Sequence, residues 1–304
     1  MTFEVQILGS SSATPIYQRH PTAQVLNIHE KLFLVDCGEG TLIQMNRYHI
    51  RFHRINHIFI SHLHGDHYLG LMGLLSTMHL QGRSEDLHLY CQPELKEMVD
   101  IQLLYSQTQL RYLVVYHFLD AKKAELIYED EDIEVNTIIL NHRIPCTGFL
   151  FREKAKLRKL IREQLIHFNI PVQAYSALKN GKDYTDDKGN TIPNIELTTD
   201  PRIPRAYAFC SDTIYDETLV PILRHIDLLY HESTFLSDKA DRAKETYHST
   251  AAQAANIAKL ANVKRLIIGH FSARYKNLYP LLEEARTVFE NTTLAVEGDR
   301  FTIE

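Results

Sequence analysis

Three histidines and an aspartate stand within one six-residue segment, directly after an apolar run. Ile58-Phe59-Ile60 is followed by Ser61-His62-Leu63-His64-Gly65-Asp66-His67. On an extended backbone His62 and His64 point to the same side, and a turn at Gly65 can bring Asp66 and His67 next to them. Imidazole and carboxylate are ligands of zinc, and this spacing rarely has a purely structural cause. The segment therefore predicts a metal site at the end of a strand.

Three more residues of ligand type follow apolar runs elsewhere in the chain. They are His142 after Ile138-Ile139-Leu140-Asn141, Asp212 after Phe209-Cys210-Ser211, and His270 after Leu266-Ile267-Ile268-Gly269. Each one alone is as readily an ordinary polar cap of a strand. Their shared position after apolar runs favours a common site with the histidine cluster, because a two-metal site needs ligands from several segments.

Strand and helix patterns alternate along the chain and place these residues at strand ends. Short runs of branched and aromatic residues bounded by turn signals predict strands. The predicted strands are 3–8, 24–29, 32–36, 57–60, 87–91, 113–119, 124–128, 133–140, 147–151, 206–210, 228–230 and 265–269. Helical periodicity predicts helices at 41–48, 68–79, 93–108, 250–261 and 281–289. This alternation favours a layered α/β domain.

Residues 152–204 interrupt this pattern and are predicted to be an insertion. Residues 154–168 form a basic pattern typical of an amphipathic helix, and the segment to about residue 204 is rich in Asp, Asn, Gly, Lys and Pro and shows no core pattern. Between positions 152 and 182 two acidic residues stand against eight basic ones, which are Arg152, Lys154, Lys156, Arg158, Lys159, Arg162, Lys179 and Lys182. Taken alone, such a run is more often a solvated helix face.

Composition limits the class of protein. With 304 residues, 44% of them hydrophobic, the chain can bury a sizeable core. A net charge of −5 argues against a generally basic nucleic-acid-binding surface. We expect no secretory signal, because the sequence opens on an alternating strand pattern and not on a basic segment followed by an apolar run. We expect no membrane partner, because no apolar stretch approaches spanning length. Cys37, Cys91, Cys146 and Cys210 form no CxxC pair. They therefore indicate a reducing cytoplasm, with Cys37 and Cys210 as buried apolar residues.

The HxHxDH pattern of residues 62–67 resembles the metallo-β-lactamase superfamily. The resemblance implies an α/β fold, the αββα sandwich, as a single domain over residues 1–304. It implies two zinc ions per subunit, one held by His62, His64 and His142 and the other by Asp66, His67 and His270, with Asp212 between them. Such a centre keeps a net positive charge, which favours an anionic phosphodiester substrate. Asp66 is also placed to accept the proton of the attacking water.

Further segments resemble the ribonuclease Z family over nearly the whole chain. They are residues 8–15, 36–41, 61–75 and 269–275, together with His231-Glu232-Ser233-Thr234 and His248-Ser249-Thr250. The chain departs from the family pattern in two places. Ile170-Pro171-Val172 lacks the Gly-Pro turn often found in the family, and Cys210-Ser211-Asp212 replaces the usual Ser-Gly-Asp.

The family resemblance implies an endonuclease that removes the 3′ trailer of precursor tRNA and leaves a 3′-hydroxyl on the tRNA. His248 would protonate the departing 3′ oxygen, and Glu232 would orient His248. Without the resemblance, His248 is more readily a structural residue before a helix cap. Residues 152–204 take the place of the family's protruding flexible arm, which binds tRNA, and the protein is expected to be a homodimer.

Two other functions stay open on the sequence. Another hydrolase of the same superfamily, acting on a small phosphodiester or ester, would share the metal motif. A non-catalytic RNA-binding protein would share the fold, but such proteins usually lose ligands, and all seven are present here.

Overall fold

The computed structural model describes residues 1–304, which divide into two compact units. The main unit comprises Met1–Asp130, Glu134–Phe151 and Ala206–Glu304. The inserted unit comprises Glu131–Ile133 and Arg152–Arg205.

One seven-stranded sheet is built mainly from the first part of the chain, in the order β18-β1-β2-β3-β4-β5-β6. Its strands are β1 Phe3–Gly9, β2 Ala23–Ile28, β3 Lys31–Val35, β4 Ile55–Phe59, β5 Leu87–Cys91, β6 Val114–Phe118 and β18 Arg300–Thr302. Strands β3 to β6 run parallel, so their carboxyl ends meet at one edge.

The second seven-stranded sheet has the order β17-β16-β15-β14-β9-β8-β7. Its strands are β7 Leu126–Glu129, β8 Ile133–Leu140, β9 Cys146–Glu153, β14 Ala206–Cys210, β15 Leu228–Glu232, β16 Arg265–Gly269 and β17 Thr292–Leu294. Strands β14 to β17 are parallel, and they again collect the residues that follow them at one edge.

Helices complete the main unit. They are α1 Thr41–Arg47, α2 Gly65–Tyr68, α3 Leu71–Leu80, α4 Glu94–Tyr105, α8 Ala240–Glu245, α9 Ala251–Leu260 and α10 Tyr279–Val288, with short 3₁₀ turns at Phe52–Arg54, Glu217–Leu219 and Ser237–Lys239. Helices α1, α3 and α4 pack on the first sheet through an apolar cluster that includes Met45, Leu75 and Leu95. Helix α9 contacts β15 and β16, and α10 contacts β17.

The two sheets pack face to face through aromatic side chains. Phe59 of β4 lies 5.4 Å from both Phe149 and Phe151 of β9, measured between ring centroids. Phe33 of β3 lies 5.9 Å from Phe151. All four rings are fully buried. The predicted layered α/β fold is therefore confirmed, with one apolar layer between the sheets and helices outside them.

The inserted unit has a small core of its own, although its sequence predicts none. Leu165, Ile170, Leu178 and Leu197 are buried together. Its elements are β10 Lys159–Leu160, α5 Arg162–His167, a 3₁₀ turn at Val172–Ala174, α6 Tyr175–Lys179, β11 Tyr184–Thr185, β12 Thr191–Ile192, α7 Asn194–Leu197 and β13 Thr198–Thr199. Four apolar residues spread over 33 positions are too sparse to give a period, which explains the missed core.

The single helix predicted over residues 154–168 is wrong. Lys159 and Leu160 instead pair with Thr199 and Thr198 as antiparallel strands, and the helix begins only at Arg162. Ile161 between them is extended, with φ −90° and ψ 97°. Hydrogen bonds to a distant segment therefore outweigh the local helical pattern. The bounds of other predicted elements differ little: β8 matches its predicted bounds, and α9 lacks only the first and last predicted residues. Strands β17 and β18 were not predicted.

We predict opposite effects on stability for two glycine-to-alanine changes. A Cβ at Gly148 of β9 would stand 2.5 Å from the backbone oxygen of Phe209, whereas a Cβ at Gly73 of α3 meets nothing within 4 Å. Gly148→Ala should lower the free energy of unfolding by about 1–3 kcal/mol. Gly73→Ala should raise it by up to about 1 kcal/mol, because alanine favours the helix. Urea unfolding measures the free energy of unfolding of both variants. An unchanged value for Gly148→Ala would contradict the close packing of β9 against β14.

Candidate metal centre

The clustered histidines lie where β4 gives way to a short helix. His62 is fully buried after the strand, and its Nε2 lies 3.0 Å from Nδ1 of His64. His64 keeps an extended backbone, with φ −74° and ψ 143°, and α2 begins at Gly65. Asp66 and His67 therefore stand on the first turn of a helix. The change from strand to helix at Gly65 turns the second half of the motif towards a neighbouring position.

The three distant residues meet this cluster. His142, Asp212 and His270 follow β8, β14 and β16 within two residues, and these strands end at the same edge. The structure groups the ligand atoms into three sets in which all atoms lie within 4.8 Å of one another. These sets are His62, His64, His142 and Asp212; Asp66, His67 and His270; and Asp212, His248 and His270.

Asp212 stands between the two groups of histidines and presents one carboxylate oxygen to each. Its Oδ2 lies 3.5 Å from Nε2 of His62 and 3.8 Å from Nε2 of His142. Its Oδ1 lies 3.4 Å from Nε2 of His67 and 3.2 Å from Nε2 of His270. Burial alone would raise the pKa of this carboxyl, but the surrounding imidazoles hold it well below its usual range.

The histidine rings are oriented as metal ligands are. Nδ1 of the buried His67 lies 2.7 Å from Oδ2 of Asp36, while its Nε2 is buried without a hydrogen-bond partner. Three other rings also have Nδ1 next to an oxygen of the protein. The partners are Ser61 Oγ for His62 (3.1 Å), the Tyr247 carbonyl for His142 (3.0 Å) and Thr234 Oγ1 for His270 (3.0 Å). One nitrogen is thus fixed by the protein and the other faces the carboxylates, so the donor set fits a metal site.

Asp36 and Ser61 support this arrangement and were not predicted as site residues. Asp36 is buried after β3, and its Oδ1 accepts a hydrogen bond from the Ser61 backbone amide at 2.7 Å. Oδ2 of Asp36 accepts a second one from the Ser61 hydroxyl at 2.9 Å. The available signal was its position directly after an apolar strand, the same signal that marks Asp212.

Glu232 and His248 form a pair beside the centre. Glu232 is fully buried at the end of β15, and its Oε1 lies 2.8 Å from Nδ1 of His248. The same oxygen accepts hydrogen bonds from the backbone amides of Thr213 (3.2 Å) and Ser249 (3.0 Å). Oε2 accepts from the amide and hydroxyl of Thr234. Five donors therefore fix this carboxylate in one orientation.

The charge of Glu232 acts on His248. Burial disfavours the imidazolium, but the adjacent carboxylate outweighs it and raises the pKa of His248 to about 9. The His248 ring lies 5.3 Å from that of His142 and 5.4 Å from that of His270. A protonated imidazole at neutral pH is thus placed next to the predicted metal ligands, where it can donate a proton.

Arg143 is a second residue that the sequence did not single out. It follows His142 directly, its side chain is exposed, and its Nη2 lies 3.1 Å from Nε2 of His64. Together with Asp66, His248 and His270 it lines an open cleft of about 320 Å³.

All eight basic residues predicted to bind RNA lie in the inserted unit. Lys156 pairs with Asp132, and Arg158 pairs with Asp200. Lys159, Arg162, Lys179 and Lys182 have exposed side chains.

Known structures identify the fold class. The metallo-β-lactamase fold protein YhfI of Bacillus subtilis matches 99% of this chain over its whole length, with a TM-score of 0.69 and 17% identity. At that identity the likeness shows the fold alone. Combined with the clustered histidines and aspartates at the strand ends, it defines a protein of the metallo-β-lactamase fold.

Closer relatives narrow the class to a family. Ribonuclease Z of Bacteroides fragilis is 48% identical over 97% of both chains. The crystal structure of the short form of human tRNase Z matches 99% of each chain, with a TM-score of 0.72 and 28% identity. A family model described as Anti-Pycsar protein Apyc1 matches residues 3–158. The chain therefore belongs to the ribonuclease Z family, and its residues 3–158 also place it in the family of that model.

We predict that Asp36→Asn weakens metal binding. An asparagine offers one acceptor oxygen where the carboxylate serves both Ser61 and the His67 ring. The ring is then less well fixed, and zinc affinity should fall by about 10- to 100-fold. Competition with a chromophoric chelator measures it. Asp86→Asn makes the same chemical change at an exposed position and serves as the control. Equal zinc affinity in the two variants would contradict a supporting role for Asp36.

Proposed function

We propose that this protein is a zinc-dependent endoribonuclease that removes the 3′ trailer from precursor tRNA and leaves a 3′-hydroxyl on the tRNA. The observation that carries the proposal is the Glu232–His248 pair beside a cluster of seven metal-ligand residues, in a chain of the ribonuclease Z family. Mapping the products formed from a 3′-extended tRNA transcript tests it. A small-phosphodiester hydrolase would leave the transcript intact, and a non-catalytic RNA-binding protein would bind it uncut.

The donor set supports two zinc ions per chain. His62, His64 and His142 would hold one ion, Asp66, His67 and His270 the other, and Asp212 would contact both. Imidazole and carboxylate suit zinc, and the two oxygens of Asp212 face different histidine groups. Bound zinc ions supply Lewis acidity to the phosphoryl group and make hydroxide available near neutral pH.

The chain's own residues would move the protons. Oδ2 of Asp66 lies 2.7 Å from the backbone nitrogen of Ala13, which fixes the carboxylate at the edge of the cleft as acceptor for the proton of the attacking water. As water adds to phosphorus and the bond to the 3′ oxygen breaks, His248 donates its proton to that oxygen. Glu232 keeps His248 protonated and oriented.

We predict that His248→Ala keeps its metals but loses about 10²- to 10⁴-fold in precursor tRNA cleavage, the usual contribution of a positioned acid. The loss should be much smaller for bis-p-nitrophenyl phosphate, because p-nitrophenolate leaves without protonation. Parallel rate measurements on the two substrates, with zinc content by elemental analysis, provide the check. Equal losses on both substrates would rule out the leaving-group role.

The inserted unit is proposed as the tRNA-binding arm, or exosite, of residues 152–204, on a single metallo-β-lactamase domain of residues 1–304. Its exposed basic residues support this, because phosphate contacts need clustered cations and the whole chain carries −5. Pro171 is followed by a 3₁₀ turn and α6, so a compact unit forms without a Gly-Pro turn.

We further propose a homodimer in which the arm of one subunit holds tRNA for the active site of the other. Helix α4 supports an interface because it leaves apolar side chains exposed. Ile101, Leu104 and Tyr105 are 55%, 70% and 83% exposed. Such residues on one helix are a common sign of a protein–protein surface.

We predict that mixing two inactive variants restores tRNA cleavage. One chain lacks residues 154–204, bridged by a short Gly/Ser linker, and keeps its metal centre. The other is full-length Asp66→Ala, which keeps its arm. If the arm works across the interface, the heterodimer should cleave precursor tRNA although neither parent homodimer does. Native mass spectrometry confirms the heterodimer. An inactive heterodimer would contradict the cross-subunit arrangement.

The cytoplasm is the proposed location. None of the helices has the length and apolar character needed to cross a membrane. All four cysteines are buried and unpaired, which fits a reducing compartment.

A further inference from the structure

A second cavity adjoins the cleft of the metal centre. It measures about 490 Å³ and is lined by the segment leading into α4, the loop after β6 and the segment between β8 and β9. Its lining includes Arg143, which also lines the cleft, and the predicted metal ligand His142. We call it the side cavity. None of its lining residues has a role in the chemistry proposed above except His142.

Arg143 stands at the junction of the two spaces and is available to bind an anion. Its guanidinium has a hydrogen-bond contact to the His64 ring, and no carboxylate lies within ion-pair distance. An imidazole nitrogen is a weak partner for arginine compared with a phosphate, which accepts two parallel hydrogen bonds. An RNA backbone that passes through the cleft would place a phosphate oxygen within reach of this side chain.

The walls of the side cavity suit a nucleobase. Leu119, Ala121, Leu140 and Pro145 supply apolar surface. Asn141 and Gln92 supply amide groups, which can donate to and accept from base edges. Oε1 of Gln92 has no hydrogen-bond partner, while its Nε2 is held by the Ser61 carbonyl at 2.8 Å. A volume of about 490 Å³ is in the range of small-molecule pockets and exceeds the size of one base.

Charge at the rim is consistent with a nucleotide and not with a metal ion. The exposed Lys122 ammonium has no carboxylate within ion-pair distance, and Asp120 accepts a hydrogen bond from the Lys122 backbone amide. The two carboxylates of the lining, Asp120 and Glu94, form no group of three ligands with any neighbour.

We propose that the side cavity binds the nucleotide next to the scissile phosphate, with Arg143 binding phosphate at its entrance and Lys122 at its rim. This inference rests on the proposed RNA cleavage, because only a polynucleotide has a flanking nucleotide that can enter the side cavity. The chemistry is the same for the nucleotide on either side of the cut, the last retained one or the first of the trailer.

The experiment combines cavity variants with abasic substrates. Ala121→Trp fills the side cavity, and precursor tRNAs carry an abasic residue either directly 5′ or directly 3′ of the cut. Binding is measured as Kd on the His248→Ala background, and cleavage as kcat and KM. When the side cavity is unchanged, one of the two abasic positions should raise the Kd by about 5- to 50-fold relative to the intact precursor. Ala121→Trp should remove that difference. The position that responds identifies the bound nucleotide.

Two adjacent lysines give a matched charge test. Lys122 lines the side cavity, whereas Lys123 is 72% exposed and lies outside it. Lys122→Ala should raise KM for precursor tRNA by about 5-fold or more, with a smaller effect on bis-p-nitrophenyl phosphate, and Lys123→Ala should change KM by less than 2-fold.

The outcomes separate the two proposals. A wild-type enzyme that fails to cut the intact precursor would overturn the proposed function. A wild-type enzyme that cuts it, but is insensitive to both abasic positions, would overturn the side cavity alone. The side cavity proposal would also be overturned if the abasic substrate still bound more weakly to Ala121→Trp, or if Lys122→Ala and Lys123→Ala had the same KM. Thermal melting of Ala121→Trp confirms its fold, and Lys122→Ala tests the proposal independently.

Discussion

The structure depends on gathering several carboxylates in a small, largely buried volume. Asp36, Asp66, Asp212 and Glu232 come from four separate segments, and all but Asp66 are almost wholly buried. Burying like charges together is strongly unfavourable unless cations or hydrogen-bond donors compensate them. Imidazoles, backbone amides and hydroxyls supply part of this compensation, and the proposed metal ions would add to it. The sandwich makes the arrangement possible because parallel strands of both sheets end at the edge where these groups meet.

Glu232 shows how a carboxylate can be kept charged without metal. Backbone amides of three residues, one hydroxyl and one imidazole surround its two oxygens. Because these donors come from the segments after β14, β15 and α8, the carboxylate also ties three parts of the main unit together. The position of His248 is therefore fixed by the fold as a whole, and not only by its own loop.

The sequence predicted the centre better than the residues around it. The seven predicted ligands have unusual chemistry and follow apolar strands, both of which are local signals, and the structure brings them together. The hydrogen bonds of Asp36 to the Ser61 amide and the His67 ring join residues far apart in the chain, which no local pattern reveals. The helix predicted over residues 154–168 failed for the same reason, since strand pairing with residues 198–199 decides its conformation. Arg143 carries no spacing signal at all.

Two residues of the centre keep a left-handed backbone although neither is glycine. Asp36 has φ 56° and His270 has φ 58°. This conformation costs roughly 1 kcal/mol for a residue with a Cβ, and only glycine would relieve it. Glycine has no side chain to hold a metal or a ligand ring. The centre therefore carries a backbone cost that favourable packing elsewhere in the fold has to offset.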